Sequence, residues 1–436
     1  MELVSTFEAL VREVSFVMTR PTFQTFLIVL TGWLFARRRT VTGMILAAGA
    51  VGVKHHSAFH RLFASARWSL DDLGLGVFDL VRRLLDPAAT VFLAVDDTLA
   101  RKRGRKIFGV GMHHDPILSS RGCAVVNWGH NWVVLGVLVE LPILKGRWVC
   151  LPVLVRLYRS KQTIAQRGGR YRTRPQLAVE MLQMLCSRHP ERRFHLTGDS
   201  TYSGKSVVQP LPETCQMTGR LPMDAALWAP PPRRRGPGRP RKKGRRLPTP
   251  EAMLRGKTRV VTLDIYGRHE RARVATRVAL WYGSAGPRPV RVVAVEPLST
   301  GRKPQAFYST VTDASPEQVL TWYARRWAVE VTFQEAKGHL GFEQPQGWTR
   351  RAVERTAPVA MLLYSLIVVW FAEEGYPHLS FPKRTWYPGK HRASFADMLT
   401  TLRRQSLRER FLETPVWDRG SRKTVQYLLD LCARAA

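Results

Sequence analysis

Acidic residues are scarce in this chain: 33 Asp and Glu stand against 68 Lys and Arg, a net charge of +35. So one-sided a balance excludes a cationic partner and points to an extended polyanion, of which nucleic acid is the usual one. An anionic membrane surface is the competing polyanion. Cysteine is also sparse. The five cysteines (Cys123, Cys150, Cys186, Cys215, Cys432) are odd in number and form no CxxC pair, which argues against a disulfide framework and a zinc module and for a reducing cytoplasm. Long apolar runs are missing too. Phe23 to Ala36, Val41 to Val53 and Pro358 to Ala372 each fall short of the roughly 18 to 20 residues that span a bilayer, so all three read as core helices. The first lies too far in, behind Glu2, Glu8 and Glu13, to read as a signal peptide. What is present is ample apolar material: 45% hydrophobic residues in 436, enough for two or three globular units.

The character of the chain changes along its length. Residues 1–86 read as an all-helical domain. Thr40 caps a second helical stretch after Arg37-Arg38-Arg39, and Gly43, Ala47, Ala48 and Gly49 allow close helix packing. Basic residues between short helices (Lys54, Arg61 and Arg67 among them) fit a helix-turn-helix-like DNA-binding unit, or equally a helical cap with a basic surface. His55, His56 and His60 read as surface or core histidines before they read as a metal site. From Thr90, TVFLAVDDT reads as a buried strand ending in two aspartates. Cys123 to Leu141 and Trp148 to Leu157 read as strands, Pro175 to Arg188 as a helix, and Arg193 to Thr197 as a strand running into Gly198-Asp199-Ser200. That order, with a long helix later, is the order of a ribonuclease-H-like α/β domain. We assign residues 87–208 and 310–380 to its two parts. Residues 209–309 form a β-rich insertion with alternating strands at Arg259 to Ile265, Ala272 to Tyr282 and Val290 to Val295. Within it, loop 230–250 (PPPRRRGPGRPRKKGRRLPTP) carries nine basic residues and no acid, too little apolar area to fold alone. Arg239 and Arg241 in this loop are candidate DNA contacts, and Gly238-Arg239-Pro240 resembles a minor-groove hook. Residues 381–436 form a C-terminal helical segment.

The most informative stretch is TWYARRWAVEVTFQEAKGHLGF. Ser315 reads as an N-cap, Pro316 as the first helical residue and Gln318 as the partner in a capping box. Trp322, Val329, Phe333, Ala336 and Leu340 share one apolar stripe. Arg326, Glu330 and Lys337 follow Tyr323 at offsets of 3, 7 and 14, so at about 100° per residue all lie within about 60° of it. A carboxylate flanked by two cations and a phenol suits a site that holds a metal and grips phosphate. A solvated face of an amphipathic helix is the alternative. Asp97 ends the first strand and Asp199 the fourth, and two Mg²⁺ ions clamped by carboxylates are what phosphodiester chemistry needs. Only one of Asp96 and Asp97 can face such a site from an alternating strand.

The pattern Tyr-(2)-Arg-(3)-Glu-(6)-Lys, with VDDT and GDSTYSG before it, resembles bacterial insertion-sequence transposases of the DDE superfamily over about residues 55–375. The resemblance implies Asp97, Asp199 and Glu330 as catalytic metal ligands, with Asp97 favoured because it precedes Thr98 and Asp96 as its neighbour. Tyr323, Arg326 and Lys337 would grip phosphate. It implies Mg²⁺ as cofactor (Mn²⁺ as a substitute), double-stranded DNA as partner (terminal inverted repeats and target), a dimer assembled on DNA, no membrane, and a bacterial cytoplasm close to the nucleoid. The implied reaction nicks DNA at the element's end and transfers the freed 3′ hydroxyl, often through a hairpin. Trp327 and Trp348 could stack on a flipped base, or could be core. Two other readings are a nuclease without strand transfer and an inactive DNA-binding derivative of a transposase.

Overall fold

The computed structural model describes residues 2–115, 118–120, 122–232, 241–265, 268–298, 301–381, 389–412 and 419–435. It opens with five helices: α1 (Ser5–Arg12), α2 (Arg20–Phe35), α3 (Val41–Ala47), α4 (His56–Ala64) and α5 (Leu70–Val81). Pro21 sits in the first turn of α2, where its missing N–H costs nothing. The Thr40 hydroxyl accepts from the Gly43 N–H as the expected cap of α3. That helix stops at Ala47 rather than reaching Val53, because the chain turns through Gly49 (φ 63°) and Gly52 (φ 83°), left-handed positions that favour glycine. A Cβ at Gly32 would lie 2.0 Å from the Met44 carbonyl oxygen, so α2 and α3 meet backbone to backbone.

The strands follow: β1 (Val91–Arg101), β2 (Gly111–His114), β3 (Val126–Leu141) and β4 (Arg147–Tyr158), then α6 (Lys161–Arg167), α7 (Arg174–Arg188), β5 (Phe194–Gly198), α8 (Lys205–Val208) and β6 (Cys215–Leu221). The middle of the chain gives β7 (Leu227–Trp228), β8 (Arg246–Leu247), α9 (Pro250–Leu254), β9 (Arg259–Ile265), β10 (Arg268–Leu280), α10 (Tyr282–Ala285), β11 (Pro289–Pro297) and β12 (Gln305–Ser309). Five helices close it: α11 (Pro316–Arg325), α12 (Trp327–Leu340), α13 (Arg350–Trp370), α14 (Phe395–Leu412) and α15 (Arg419–Ala435).

Among the described residues, the twelve strands belong to one mixed sheet, in the order β2-β3-β1-β5-β6-β12-β11-β10-β7-β8, with β4 on β3 and β9 on β10. β1 is antiparallel to β3 and parallel to β5, and β5 is parallel to β6. The expected insertion therefore does not stand apart from the sheet. Its first strand, β6, lies parallel to β5, and its later strands follow through β12, which lies antiparallel to β6. One hydrophobic cluster runs from Phe7 through the faces of β1, β3 and β4 to Phe371 and Leu402, so the N-terminal helices share the core of the sheet. A smaller cluster under α11 joins Val261, Val274, Val293 and Phe307 to Val319 and Leu320.

Several boundaries move. β1 does not end at the two aspartates but continues to Arg101, paired with β3 throughout. β2, β6 and β12 were not apparent as strands, being short or broken by glycine and polar residues. The helix expected from Ser315 to Leu340 divides at Arg326 into α11 and α12. Pro358 to Ala372 belongs to a longer helical run, Arg350–His378, long and apolar enough to cross a membrane, but 89% of its apolar window is buried inside the protein. In the basic loop, Arg239 lies outside the described residues and Arg241 is exposed. The loop's ends are closed by β7 against β8, where Lys243 Nζ sits 3.6 Å from the centre of the Trp228 ring.

Candidate active site

The capping box forms as the sequence requires: Ser315 accepts from the Gln318 N–H, and the Gln318 side chain accepts from the Ser315 N–H at 2.9 Å. This fixes the start of α11. The turn at Arg326 then sets α12 with Val329, Phe333, Ala336 and Leu340 buried and Glu330 outward. Thr332 anchors α12 to the sheet by donating to the Cys150 carbonyl at 2.7 Å.

On β1, side chains alternate between the two faces of the sheet. Phe92 lies against Trp322 of α11, with ring centres 6.0 Å apart, so the even-numbered positions face α11 and α12. Asp96 is on that face. Arg326 donates to its carboxylate and reaches Glu330 at 3.5 Å, with both Arg326 and Asp96 largely buried. Burial pushes the Asp96 carboxyl up to about 7, with the Arg326 cation opposing the shift and the charges of Asp199 and Glu330 adding to it. Asp199 follows β5, and its carboxylate accepts from the Thr201 N–H at 2.9 Å, the geometry of a turn-closing aspartate. The charges of Asp199 and Glu330 thus both act on Asp96, and the Arg326 guanidinium bridges Asp96 and Glu330.

Asp97, expected to face this site, faces away from it. Its carboxylate accepts from Tyr202 Oη, Asn131 Nδ2 and Arg174, each at 2.8 Å, on the side of the sheet covered by α7. The reason is the strand's period of two: with Asp96 turned toward α12, Asp97 must point toward α7. Tyr202 follows Asp199 by three residues, so Asp97 ties down the same turn that presents Asp199.

Of the other expected residues, Tyr323 stays beside Arg326 and Lys337 stands apart. Tyr323 is half-buried, its ring 4.6 Å from that of Phe307 and 5.6 Å from the Arg326 guanidinium. Its hydroxyl is raised by burial, against the pull of Arg326 and Arg220. Arg220, on β6 one residue beyond the Gly198–Gly219 pair, brings its charge close enough to act on Tyr323, although nothing in the sequence marked it. Its signal would have been the pairing of β5 with β6. Lys337 lies further along α12 and donates to the Leu99 carbonyl at 2.7 Å, with Glu343 at 3.7 Å. Trp327 and Trp348 are exposed, at 50% and 66%, and so are not core.

Among the described residues no group of three Asp, Glu, His or Cys closes on a point that could hold a metal as the side chains stand. The donor set still fits a hard divalent ion: Asp96, Asp199 and Glu330 offer oxygen only, and a cationic group already spans Asp96 and Glu330. A carboxylate as buried as Asp96 requires a positive partner, and a metal ion would serve as Arg326 does.

A family model described as DDE superfamily endonuclease matches residues 14–287, more than half of the chain. The matched span includes Asp96, Asp97 and Asp199 and ends before Glu330. No curated protein matches. Among solved structures, the cryo-EM structure of a piggyBac transposase synaptic complex with hairpin DNA aligns at 14% identity over 97% of this chain and 81% of that one, with a TM-score of 0.42.

Proposed function

Since the chain belongs to the DDE superfamily endonucleases, we propose that it is a DNA transposase that cuts at the ends of an insertion sequence and joins the freed 3′ end to a target. The observation that carries this reading is the contact of Arg326 on α11–α12 with both Asp96 of β1 and Glu330 of α12, with Asp199 at the end of β5 close enough for its charge to act on Asp96. The order β4-β3-β1-β5-β6, with three antiparallel-paired strands followed by two parallel ones, supports a ribonuclease-H-like catalytic core. The all-helical residues 1–86 are a DNA-recognition unit in this reading.

Asp96, Asp199 and Glu330 would hold Mg²⁺ or Mn²⁺, and a two-ion site of that kind supplies charge neutralisation at the attacked phosphate and lowers the pKa of bound water. Asp96 takes the place first expected of Asp97. Asp97 acts from the far side, holding Tyr202 and through it the turn that carries Asp199. Arg326, Arg220 and Tyr323 would bind the phosphate oxygens and share their negative charge, a role their proximity supports. Lys337, tied to the strand of Asp96, would take a neighbouring phosphate. The reaction is two in-line displacements at phosphorus. In the first, a water oxygen replaces the 3′ oxygen of the element's end. In the second, that 3′ hydroxyl bonds to a phosphorus of the opposite strand or target and displaces that strand's 3′ oxygen, which leaves as a hydroxyl after taking up a proton, while the nucleophile's proton passes to solvent and no bond forms to the protein. Basic loop 230–250, with Arg239 and Arg241, and the net charge of +35 would hold the DNA. A dimer on DNA and a bacterial, nucleoid-associated setting follow from the same reading.

The test is cleavage of end-labelled duplex carrying the gene's flanking repeats in Mg²⁺, with Glu330→Ala beside the unaltered protein. A nick at the repeat boundary that the variant does not make supports the reading. Cleavage that persists in the variant removes Glu330 from the site, and tight binding without any cleavage by either protein would mark an inactive DNA-binding derivative.

A further inference from the structure

A cavity of about 480 Å³ opens at the outer edge of the sheet, between the end of β4, α7 and the start of α13. No residue of the Asp96–Asp199–Glu330 cluster lines it. Seven arginines and three carboxylates do. The carboxylates are taken: Asp71 by Arg156 at 2.6 Å, Glu180 by Arg172 at 2.8 Å, and Glu354 by Arg350 at 3.2 Å. Among the described residues, Arg159, Arg170, Arg351 and Arg355 have no carboxylate in salt-bridge contact. Arg355 is held in place by the backbone, donating to the carbonyls of Ala66 and Trp68 at 2.8 and 2.5 Å, with its guanidinium 4.4 Å from the Trp68 ring centre. Four guanidiniums are therefore gathered in excess of those the three carboxylates pair with, Arg355 held by two backbone carbonyls, and the charge of Glu354, already taken by Arg350, acts on Arg159 and Arg355 as well.

Two further observations bear on what they await. The first turn of α13 contributes Arg350 and Arg351 and has no acidic residue and no side-chain cap on its N-terminus. Cations there oppose the helix dipole, and an anion is what that end favours. The arginines also repel one another: Arg159 is lowered by burial and then by Arg350, and Arg355 by burial and then by Arg351, with Glu354 opposing the shift in both. Such crowding is unfavourable in the free protein and is relieved when a polyanion enters.

We propose that this cavity binds phosphates of the DNA backbone outside the segment that reacts, forming a second anchor for the duplex across the sheet edge from the carboxylate cluster. The proposal rests on the DNA-processing reading above, but its test needs no cleavage. Binding of the full-length chain to duplex DNA is measured against salt for the unaltered protein, for Arg170→Ala/Arg351→Ala and for Arg170→Lys/Arg351→Lys, with thermal unfolding of each to confirm the fold. Two lost phosphate contacts lower the slope of log K against log salt by about 1.8 and weaken binding by about tenfold at moderate salt. The lysine pair, keeping the charge, restores the slope. An unchanged slope in the folded alanine variant overturns the proposal and leaves the transposase reading standing, whereas an unaltered protein that binds no DNA overturns both. Calorimetry with inorganic tripolyphosphate separates the sources. Binding that the alanine pair abolishes, together with an unchanged DNA slope, would assign the cavity to a free polyphosphate and overturn the DNA anchor.

Discussion

The guanidinium of Arg326 donates to the carboxylate of Asp96, bringing a residue at the junction of two helices onto a strand 230 positions earlier in the chain. The contact decides which of two adjacent aspartates belongs to the carboxylate cluster, and it makes a distinction that mutagenesis can read. Asp96→Asn should lower cleavage on the order of a hundredfold or more, by analogy with removing one charge-stabilising group from a preorganised site. Asp97→Asn should instead cost stability. Replacing an acceptor of three hydrogen bonds, one from an arginine, costs about 1–3 kcal/mol, with cleavage retained at temperatures where the variant is folded. Denaturant melts and cleavage rates on both variants check this. Loss of cleavage from Asp97→Asn at unchanged stability, with Asp96→Asn active, would reverse the assignment.

Arg326 occupies the place of a cation between Asp96 and Glu330, with only 12% of its side chain exposed. Arg326→Ala leaves a buried carboxylate without its partner, a loss of about 3 kcal/mol. If the carboxylates accept a divalent ion, Mg²⁺ should recover part of that loss, because a ligand that binds only the folded state stabilises it in proportion to ln(1 + [L]/Kd). The expected result is a melting temperature that rises with Mg²⁺ more steeply in Arg326→Ala than in the unaltered protein. Melts that ignore Mg²⁺ in both would remove the metal from this cluster.

The sequence made the helices at the site easy to read because their signals are local. Ser315, Pro316 and Gln318 specify one capping box, and the stripe from Val329 to Leu340 specifies one buried face. The choice between Asp96 and Asp97 was not local. Both faces of β1 are apolar before the aspartates, since α7 covers one and α11 and α12 the other, so the strand carries no alternation from which to read its orientation. Arg220 was hidden for a related reason. Its charge comes near Tyr323 only through the pairing of β5 with β6, a relationship between segments that neither segment announces. Likewise the extension of the sheet through β12 depends on a five-residue strand too short to declare itself.

The contact of α2 with α3 is as close as backbones allow. A methyl group at Gly32 would stand 2.0 Å from the Met44 carbonyl oxygen and 2.9 Å from its Cα, backbone atoms that no rotamer change can move. Gly32→Ala should therefore destabilise the protein by about 3 kcal/mol, overriding the gain that alanine brings to a helix interior. Gly283, with nothing within 4 Å of a built Cβ, is the comparison, and Gly283→Ala should change stability by less than about 1 kcal/mol. Equal effects from the two substitutions would mean that α2 and α3 are not in contact as described.

His195 sits on β5 beneath the site, wholly enclosed, with Nε2 2.8 Å from the Thr218 hydroxyl and its ring between Phe92 and Trp322. Burial, with the Arg325 cation adding to it, lowers its pKa to about 3. In the unfolded chain a histidine titrates near 6.5. The folded value is thus the lower of the two, so the unfolded chain gains a proton below about pH 6.5 that the folded protein refuses until about pH 3. Stability is complete above pH 6.5 and falls as the pH drops, by about 1.4 kcal/mol per unit for this one group. His130, lowered to about 3, and His113, lowered to about 4, both chiefly by burial, act in the same direction. Asp96, raised to about 7, acts in the opposite direction over the same range, so the test is the difference between two proteins: in urea unfolding at pH 7.5 and pH 5.5, His195→Asn, which has no proton to gain, should lose about 1.4 kcal/mol less on acidification than the unaltered protein. The packing cost of the substitution is common to both pH values and cancels in the difference. If the variant loses as much stability on acidification as the unaltered protein, His195 already carries its proton in the fold, and the closed packing of β5 against α11 is wrong.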